Sequence, residues 1–411
     1  MGQEPFARSC TLAVVGAGPA GLAAALAAAN EGIATVLIGP AATGASDSRT
    51  SALFQGAIRM LEALGVWPAI RLEAAPIAAI RIIDDTGRLL RAPDALFRAA
   101  EIGSEPFGWN IPNRVLTAAL EAAAARQPGL TRCMALVRDV VLADDVVVLT
   151  LEDGADIRTQ LAAAADGRHS RLRAAAGIKT VAWQHPQTAI VCNFKHSRPH
   201  QGVSTELHRP AGPLTTVPLP GNASSLVWAE TPREAGRLMA LCPDDFRGEI
   251  DARLQGLLGE ITEASRPSQF PLSGLTASRF AARRVVLIGE AGHVVPPIGA
   301  QGLNLGLRDA ATLADVLQEP GAAEDAGHPR LLAAYDRRRR LDVASRSFAV
   351  ELLNRTLISP FLPAQALRGL GIAALNTIIP LRHRVMREGM APERGLPRLM
   401  RANPAKAGQT P

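Results

Sequence analysis

A glycine-rich turn near the start of the chain could hold the phosphates of a dinucleotide. Residues 16–21 have the sequence Gly-Ala-Gly-Pro-Ala-Gly, between an apolar stretch that predicts a strand (11–15) and an alanine-rich stretch that predicts a helix (19–30). The first glycine permits a tight turn, the second lets a pyrophosphate approach the backbone, and the third lets the helix pack on the strand. The predicted cofactor contacts are Gly16, Gly18, Pro19, Ala20 and Gly21.

The strand that follows this turn lacks an expected acid. In such motifs a carboxylate about twenty residues further on usually binds the ribose hydroxyls. Here the strand over residues 34–38 is followed by Gly39 and Pro40, and the next acid is Asp47. We therefore expect backbone groups, water or another side chain to hold the adenosine end of the cofactor.

A second loop, residues 289–309, could face the other end of the same cofactor. It follows an apolar strand (284–288), is rich in proline and glycine, and leads into a helix predicted to begin near Gly302. Free backbone N–H groups and a helix N-terminus stabilise negative charge. His293, Pro296 and Pro297 are candidates for lining a substrate pocket. For His293 we weigh a catalytic base against a histidine that holds the turn, and favour the second.

Residues 166–173 form a third motif, Asp-Gly-Arg-His-Ser-Arg-Leu-Arg, after the apolar strand 161–165. On its own, an Asp-Gly at a strand end with Ser170 placed to cap a helix is more often an N-cap than a ligand site. Its position between the other two motifs favours a turn that faces phosphate or ribose.

The elements that position these motifs fall into two groups. Residues 11–38 predict a βαβ unit of a parallel sheet. Later patterns predict helices at 51–64 and 113–125, a hairpin of 80–83 with 88–91, and strands at 137–143, 146–151 and 158–164. Beyond residue 177, strands at 188–194, 204–208, 214–217 and 225–228 predict an antiparallel sheet, followed by helices at 232–241 and 244–258 and a helical tail from about 329. His208 and Trp228 lie on that sheet and could form a pocket wall, although ordinary packing is the simpler interpretation.

The ordered motifs resemble those of class A flavoprotein monooxygenases, the fold group of p-hydroxybenzoate hydroxylase, and most of all the flavin hydroxylases of ubiquinone biosynthesis. The residues that carry the resemblance are 49–53 with 64–67, 113–116, 166–173, 296–309 and 335–342. It implies an α/β fold with a discontinuous Rossmann-like FAD-binding domain, an inserted mainly antiparallel β-sheet substrate domain and a C-terminal helical region. The implied segments are 8–75, 111–176 and 272–328 for the FAD-binding domain, 76–110 and 177–271 for the substrate domain, and 329–411 for the basic helical region.

The resemblance also implies roles for single residues. Arg49 would contact the FAD pyrophosphate, and Asn113 would lie near the ribityl and phosphate groups. Glu290 stands where the family usually has Asp, at the ribityl chain. Asp166 and Arg173 belong to a motif shared by FAD and NAD(P)H. The backbone amides of Gly302, Leu303 and Asn304 would face the pyrimidine edge of the isoalloxazine, where a helix N-terminus stabilises charge on the reduced flavin.

Composition narrows the class of protein further. The 411 residues are 47% apolar but only 4% aromatic, and the four cysteines (10, 133, 192, 242) form no close pair. This argues against a metal site and a disulfide framework and fits a reducing cytoplasm. From residue 330 onward there are fifteen Lys/Arg and five Asp/Glu. Without stacking aromatics this basic tail predicts no nucleic-acid partner, and solvated helix, membrane-surface contact and partner contact remain open.

Together these features predict an FAD-dependent aromatic-ring monooxygenase, an oxidoreductase. Its substrate would be a polyprenylated ubiquinone precursor, hydroxylated through a flavin C4a-hydroperoxide with O2 and an electron donor such as NAD(P)H. The expected location is the cytoplasm or the inner face of the membrane, bound peripherally through the C-terminal region or to a ubiquinone-biosynthesis complex. Two alternatives remain: a hydroxylase of a small soluble aromatic, and a catalytically weakened flavoprotein-like scaffold, to which Gly39 and Glu290 both point.

Overall fold

The computed structural model describes residues 8–41, 47–87, 91–104, 106–358, 362–390 and 395–402. The strands in these residues are β1 Arg8–Val15, β2 Thr35–Ile38, β3 Thr50–Phe54, β4 Ala75–Ile77, β5 Ala79–Asp84, β6 Ala95–Arg98, β7 Gly108–Pro112, β8 Leu130–Cys133, β9 Val137–Leu142, β10 Val147–Leu151, β11 Asp156–Ala164, β12 Thr180–His196, β13 Val203–Arg209, β14 Gly212–Leu219, β15 Ala223–Glu230, β16 Ile261–Ala264, β17 Ser268–Ala277, β18 Ala281–Ala282, β19 Val285–Leu287 and β20 His293–Val294.

The helices are α1 Pro19–Asn30, α2 Gln55–Ala63, α3 Trp67–Ile70, α4 Asn113–Arg126, α5 Arg171–Ala175, α6 Pro232–Met239, α7 Pro243–Leu254, α8 Gln301–Val316, α9 Pro329–Ile358, α10 Leu362–Thr377 and α11 Ile379–Met390. Short 3-10 turns lie at Arg71–Glu73, Ala99–Ile102, Gly289–Ala291, Ile298–Ala300 and Arg398–Met400.

A mostly parallel sheet carries the three motifs. Its strands lie in the order β18-β19-β11-β1-β2-β8, and β1 pairs in parallel with both β2 and β11. The predicted βαβ unit is therefore confirmed. Residues 12–15, 36–38 and 161–164 of the three central strands are apolar and buried, as is typical of parallel strands covered on both faces. The C-terminal ends of β1, β2 and β11 meet at one edge, where Val15 lies beside Ile38 and Ala164.

A second, nine-stranded sheet is antiparallel except where β13 pairs with β5. Its strands lie in the order β20-β17-β12-β15-β14-β13-β5-β6, with β16 on β12. The predicted hairpin partner at 88–91 is wrong, because β5 pairs with β6 (Ala95–Arg98); residues 88–90 lie outside the described residues. Helices α6 and α7 bury one face of this sheet, where Ile190 and Trp228 pack with Phe246. Its other face is turned toward the loop that follows β19.

The stretch predicted as one helix over 51–64 is divided in the structure. β3 pairs with β7 as a strand, and only α2 is helical. The reason is tertiary: the Asn304 side chain accepts a hydrogen bond from Phe54 N (3.0 Å) and donates one to Ala52 O (2.8 Å). These partners lie about 250 residues away, so local periodicity does not reveal them.

The C-terminal helices fold back over the second sheet. Met386 of α11 is buried against Phe97 and Phe107, and Arg382 forms a two-point ion pair with Glu101 (2.6 and 2.9 Å). No helix in the described residues has the length and apolarity needed to cross a membrane.

Candidate functional site

The glycine turn after β1 leaves space only at its middle glycine. Gly16 has a φ of +113°, and a Cβ there would lie 2.1 Å from Ala165 O. A Cβ on Gly21 would lie 2.0 Å from Gly16 O. Both are glycines because the protein itself fills the space. At Gly18, by contrast, no heavy atom of the described residues lies within 4 Å of a Cβ. The open side of this turn, at the N-terminus of α1, is therefore free to receive a ligand.

Helices α1 and α8 bring the first and last motifs together. A Cβ on Gly306 of α8 would lie 3.1 Å from the Ala20 Cβ and 3.4 Å from the Gly289 Cα. The same alanine methyl group lies 3.5 Å from the Cβ position of Gly289. Pro19 is the first residue of α1. The turn at 16–21 and the loop that begins at Gly289 are thus packed against each other, although about 270 residues separate them in the chain.

The N-terminus of α8 is shaped by two left-handed residues. Gly299 has a φ of +66° and Ala300 a φ of +53°, which is uncommon for a residue with a Cβ. Asn304 Nδ2 holds this turn by donating to Ala300 O (2.7 Å). A Cβ on Gly302 would lie 4.0 Å from Val295 Cγ2 and would meet no other residue of the described chain outside its own helix turn within that distance. The first turn of α8, with Gly302, Leu303 and Asn304, contains no acid to offset its positive end.

A fully buried carboxylate, Asp309, fixes both ends of the loop over residues 289–293. It accepts hydrogen bonds from Gly289 N (2.8 Å), His293 Nε2 (2.7 Å) and Arg339 Nε (2.5 Å). Arg339 in turn contacts Asp342 (2.7 Å). Burial alone would raise the pKa of the Asp309 carboxyl, but Arg339, His293 and the Gly289 N–H outweigh burial and hold that pKa below its usual value. The His293 ring is thus committed to this network.

Asp166 and Arg173 hold the middle of the same edge. Asp166 Oδ2 accepts from Arg171 N (2.8 Å), as a helix cap does, whereas its Oδ1 is buried with no partner among the described residues. Arg173 donates to Ala291 O and to Arg168 O (2.8 Å each), which ties the 166–173 turn to the 289–293 loop. Glu290 is exposed, and its carboxylate lies 3.7 Å from Arg168 Nε.

Arg49 and Asn113 meet through Asp47. The Arg49 guanidinium forms a two-point ion pair with Asp47 (both 2.8 Å), and Asn113 Nδ2 donates to Asp47 Oδ2 (3.3 Å), one of the two oxygens in that ion pair. Ser51 Oγ donates to Asn113 Oδ1 (2.7 Å). The guanidinium also lies over the ring of Phe270, 5.5 Å from its centroid. An arginine and an asparagine predicted at phosphate and ribityl groups therefore occupy one patch.

A cavity of about 240 Å³ separates the second sheet from the 289–297 loop. Arg49, Arg168 and Glu290 are the charged residues that line it in the described part of the chain. Its remaining walls are mainly apolar and include Ala189, Val191, Val227, Phe270, Leu272, Val295, Pro296 and Pro297. Pro296 and Pro297, which the sequence analysis gives as candidates for a substrate pocket, are thus part of the wall of this cavity. Trp228 and His208 do not line this cavity: Trp228 packs under α6 and α7, and the His208 ring is paired with Glu206 (2.7 Å).

These residues fit FAD. The open space at Gly18 and Gly302, the unpartnered Asp166 Oδ1 and the cationic Arg49 lie along the joined motifs. An elongated ligand with a pyrophosphate and a polar ring edge matches that sequence of features.

Comparison with known proteins also indicates an FAD-binding protein. A family model described as an FAD binding domain matches residues 9–348. The chain belongs to this FAD-binding family. Ubiquinone hydroxylase UbiL of Rhodospirillum rubrum is 36% identical over 409 residues, which cover 95% of this chain and 92% of that protein. The 3-demethoxyubiquinol 3-hydroxylase of Escherichia coli is 29% identical over 377 residues, covering 88% of this chain and 94% of that protein.

Solved structures share the fold at lower identity. The p-nitrophenol 4-monooxygenase PnpA of Pseudomonas putida gives a TM-score of 0.76 at 18% identity, covering 93% of this chain and 99% of that one. PqsL of P. aeruginosa, in complex with 2-aminobenzoylacetate, gives 0.75 at 20% identity, covering 89% and 100%. The predicted fold class and the FAD cofactor are confirmed. The chain is an FAD-dependent monooxygenase, an oxidoreductase.

The residues that hold the site, rather than face it, are not predicted from the sequence. Asp309 lies within a resembling motif without a predicted role, and Asp47 is recognised only as the next acid after β2. Asn193 is a further example, since its Nδ2 donates to Ser48 O (2.8 Å) and ties the second sheet to the segment that carries Arg49. The only available signal for Asp309 was its place in the Gly306–Asp309 stretch of the resembling motif.

Proposed function

We propose that this monooxygenase hydroxylates the aromatic ring of a polyprenylated precursor of ubiquinone. The observation that carries the proposal is the 36% identity to a ubiquinone hydroxylase over nearly the full length of both chains. The mainly apolar cavity beside the N-terminus of α8 supports it, because an apolar chamber suits a ring that must react away from water.

The net reaction consumes O2 and a reductant. The ring gains one oxygen atom as a hydroxyl group, the other oxygen leaves as water, and NAD(P)H is oxidised to NAD(P)+ with uptake of one proton. FAD, when bound and reduced, supplies the oxygen-activating chemistry. The chain's own residues must then bind the cofactor, place the substrate ring and exclude water.

We assign cofactor binding to the residues of the two joined motifs. The Gly18 side of the glycine turn and Arg49 would bind the pyrophosphate, and Asn113 and Glu290 would lie along the ribityl chain. The amides of Gly302, Leu303 and Asn304 would face the polar edge of the ring system, where the positive end of α8 stabilises negative charge. Asp166, through its free Oδ1, and Arg173 would hold the turn next to them.

We assign substrate positioning to the apolar walls. Pro296, Pro297 and Phe270 would confine the aromatic ring. His293 does not line the cavity in the described residues, and its Nε2 is bonded to Asp309, so we give it a positioning role.

The test uses the purified holoprotein with 18O2 and NAD(P)H. A phenol with an isoprenoid tail, presented in detergent, is compared with the same phenol without the tail. We expect flavin absorbance that bleaches with the reductant, and one 18O atom in the tailed product at a higher kcat/KM than in the tailless one. Labelling of the tailless phenol alone would instead identify a hydroxylase of small soluble aromatics. Absence of flavin absorbance would support a non-catalytic scaffold.

The proposed site of contact with the membrane or with a biosynthetic complex is the C-terminal region. α10, α11 and the residue that connects them expose Leu370, Ile378, Ile379, Leu381 and Val385, which we call the C-terminal apolar surface. Exposed Arg384 and Arg387 lie on the same helix as the last two. Apolar side chains interleaved with cations suit an anionic membrane surface, the place where a substrate with an isoprenoid tail resides.

A further inference from the structure

The end of β2 cannot carry the ribose-binding acid that this fold usually places there. Gly39 has a φ of +149°, a conformation that side chains disfavour. A Cβ at this position would also lie 3.1 Å from Ala17 N and 3.4 Å from the Ala17 Cβ. Gly39 N is committed as well, donating to Cys133 O (3.0 Å). The backbone here is therefore adapted to the absence of a side chain, so a ribose contact must come from a different element.

Arg132, at the end of the neighbouring strand β8, reaches this same point. Its Nη1 donates to Gly39 O (2.8 Å) and its Nη2 lies 3.3 Å from Pro40 O. On its other side the guanidinium contacts Glu121 of α4, with Nη2 at 2.9 Å and Nε at 3.3 Å from the two carboxylate oxygens. All three guanidinium nitrogens thus have acceptors within the protein, and Arg132 serves to connect the end of β2 to Glu121.

Glu121 is the acceptor that this arrangement leaves available. Its side chain is 23% exposed, against 14% for Arg132. Each carboxylate oxygen contacts one guanidinium nitrogen and has a further lone pair. We propose that Glu121, oriented by Arg132, accepts the hydrogen bonds of the adenosine ribose hydroxyls of FAD. A carboxylate from α4 would then replace the one that this fold usually takes from the end of β2. This proposal rests on FAD binding and is independent of which substrate is hydroxylated.

The direct test is cofactor affinity of the apoprotein, measured by quenching of flavin fluorescence. Glu121→Gln should weaken FAD binding by roughly 10-fold or more, the usual cost of losing a hydrogen bond to a charged group. FMN, which lacks the adenosine half, should bind both proteins equally. Glu152→Gln is the matched control, because Glu152 is an exposed acid in the connection between β10 and β11; it should leave both affinities unchanged.

An FAD analogue with 2′-deoxyadenosine separates contact from folding. The unaltered protein should bind this analogue more weakly than FAD. The Glu121→Gln variant should bind the two almost equally, because it already lacks the carboxylate that the 2′-hydroxyl would contact. Equal weakening of FAD, the analogue and FMN would mean that Glu121 only supports the fold, and would overturn the proposal. Should the variant not fold, the unaltered protein still decides: failure to distinguish FAD from the 2′- and 3′-deoxy analogues overturns it. If the unaltered protein bound neither FAD, nor its analogues, nor FMN, the cofactor assignment itself would be contradicted.

Discussion

At the scale of single residues, most of the site's precision comes from side chains that would not touch the cofactor. Asp309 has no exposed surface, yet it determines where Gly289 N, the His293 ring and Arg339 lie. A buried carboxylate of this kind is stable only because its partners supply charge and hydrogen bonds. Asp309 contributes to the site by fixing the position of the loop that begins at Gly289, because that loop carries Glu290 and leads to the cavity wall.

Removing the charge of Asp309 should therefore be costly. We expect Asp309→Asn to lower the free energy of unfolding by about 3–5 kcal/mol, because it leaves the Arg339 guanidinium buried without its main partner. Urea unfolding of the apoprotein measures this. The exposed Asp145→Asn is the control and should change stability by less than about 0.5 kcal/mol. A similarly small change for Asp309→Asn would contradict the network's importance.

The same residue predicts a dependence on pH. The pKa of Asp309 is lower in the folded protein than the ordinary value of about 3.9, so its contribution to stability is complete above that value. The contribution is lost as the pH falls through the folded-state pKa. The stability gap between the unaltered protein and Asp309→Asn should thus be constant from pH 7 to about 5 and shrink below about 4. If the difference in unfolding free energy between the two proteins instead grew as the pH fell, the pKa of Asp309 would not be lowered by folding and this explanation would be wrong.

His293 offers a clean distinction between positioning and base catalysis. If it only holds the loop, His293→Gln should weaken FAD binding but leave the shape of the kcat–pH profile unchanged at saturating FAD. A general base, by contrast, contributes about 10²- to 10⁴-fold, and its loss would remove one limb of the profile. The measurement is kcat against pH for both proteins. Loss of a limb would show that the interpretation of His293 as a positioning residue is wrong.

At the scale of elements, the sequence predicts best where local pattern and tertiary role agree. The βαβ unit, α1 at Pro19–Asn30 and the start of α9 at Pro329 match their predictions because each follows from a local apolar pattern and a terminus signal. The failures at 51–64 and 88–91 differ in kind. β3 is a strand because it pairs with β7, which is distant in sequence, whereas β5 does have a nearby antiparallel partner, but that partner is β6 and lies further along the chain than 88–91. In the site, the motifs predict which residues would meet the cofactor, whereas Asp309 is defined by contacts with Gly289, His293 and Arg339 that no single stretch contains.

The close contact of α1 with α8 makes a prediction at this scale. Gly306→Ala places a methyl group 3.1 Å from the Ala20 Cβ and 3.4 Å from the Gly289 Cα, so these packed neighbours must move by a few tenths of an ångström. We expect a loss of about 1–3 kcal/mol in stability and weaker FAD binding. Gly248→Ala is a matched control with the opposite sign: that helical glycine in α7 is exposed, and no described atom lies near its Cβ position. It should stabilise the protein by up to about 1 kcal/mol. Thermal unfolding compares them, and equal signs would contradict the packing argument.

At the scale of the whole molecule, charge and apolar surface are concentrated on the C-terminal helices. Fifteen Lys/Arg and five Asp/Glu follow residue 329, so the remainder of the chain carries net negative charge although the whole is +6. α11 packs through Met386 and Arg382 on the second sheet and the turn after β6, whereas the residues of the C-terminal apolar surface remain exposed. This division is what the proposed contact with an anionic membrane requires.

Membrane binding tests this arrangement. The full-length holoprotein should co-sediment with vesicles that contain anionic lipid, and less so as salt is raised, because cations contribute to the attraction. Ile379→Glu should reduce binding several-fold, since it places a charge among exposed apolar side chains on α11. Leu72→Glu is the matched control: Leu72 is 91% exposed but lies far along the chain, in the 3-10 turn Arg71–Glu73, and its substitution should leave binding unchanged. Equal loss in both variants would indicate general apolar adhesion. If neither variant nor salt altered vesicle binding, the C-terminal apolar surface would not be the membrane-binding site, because a charge placed within a binding surface must weaken its binding.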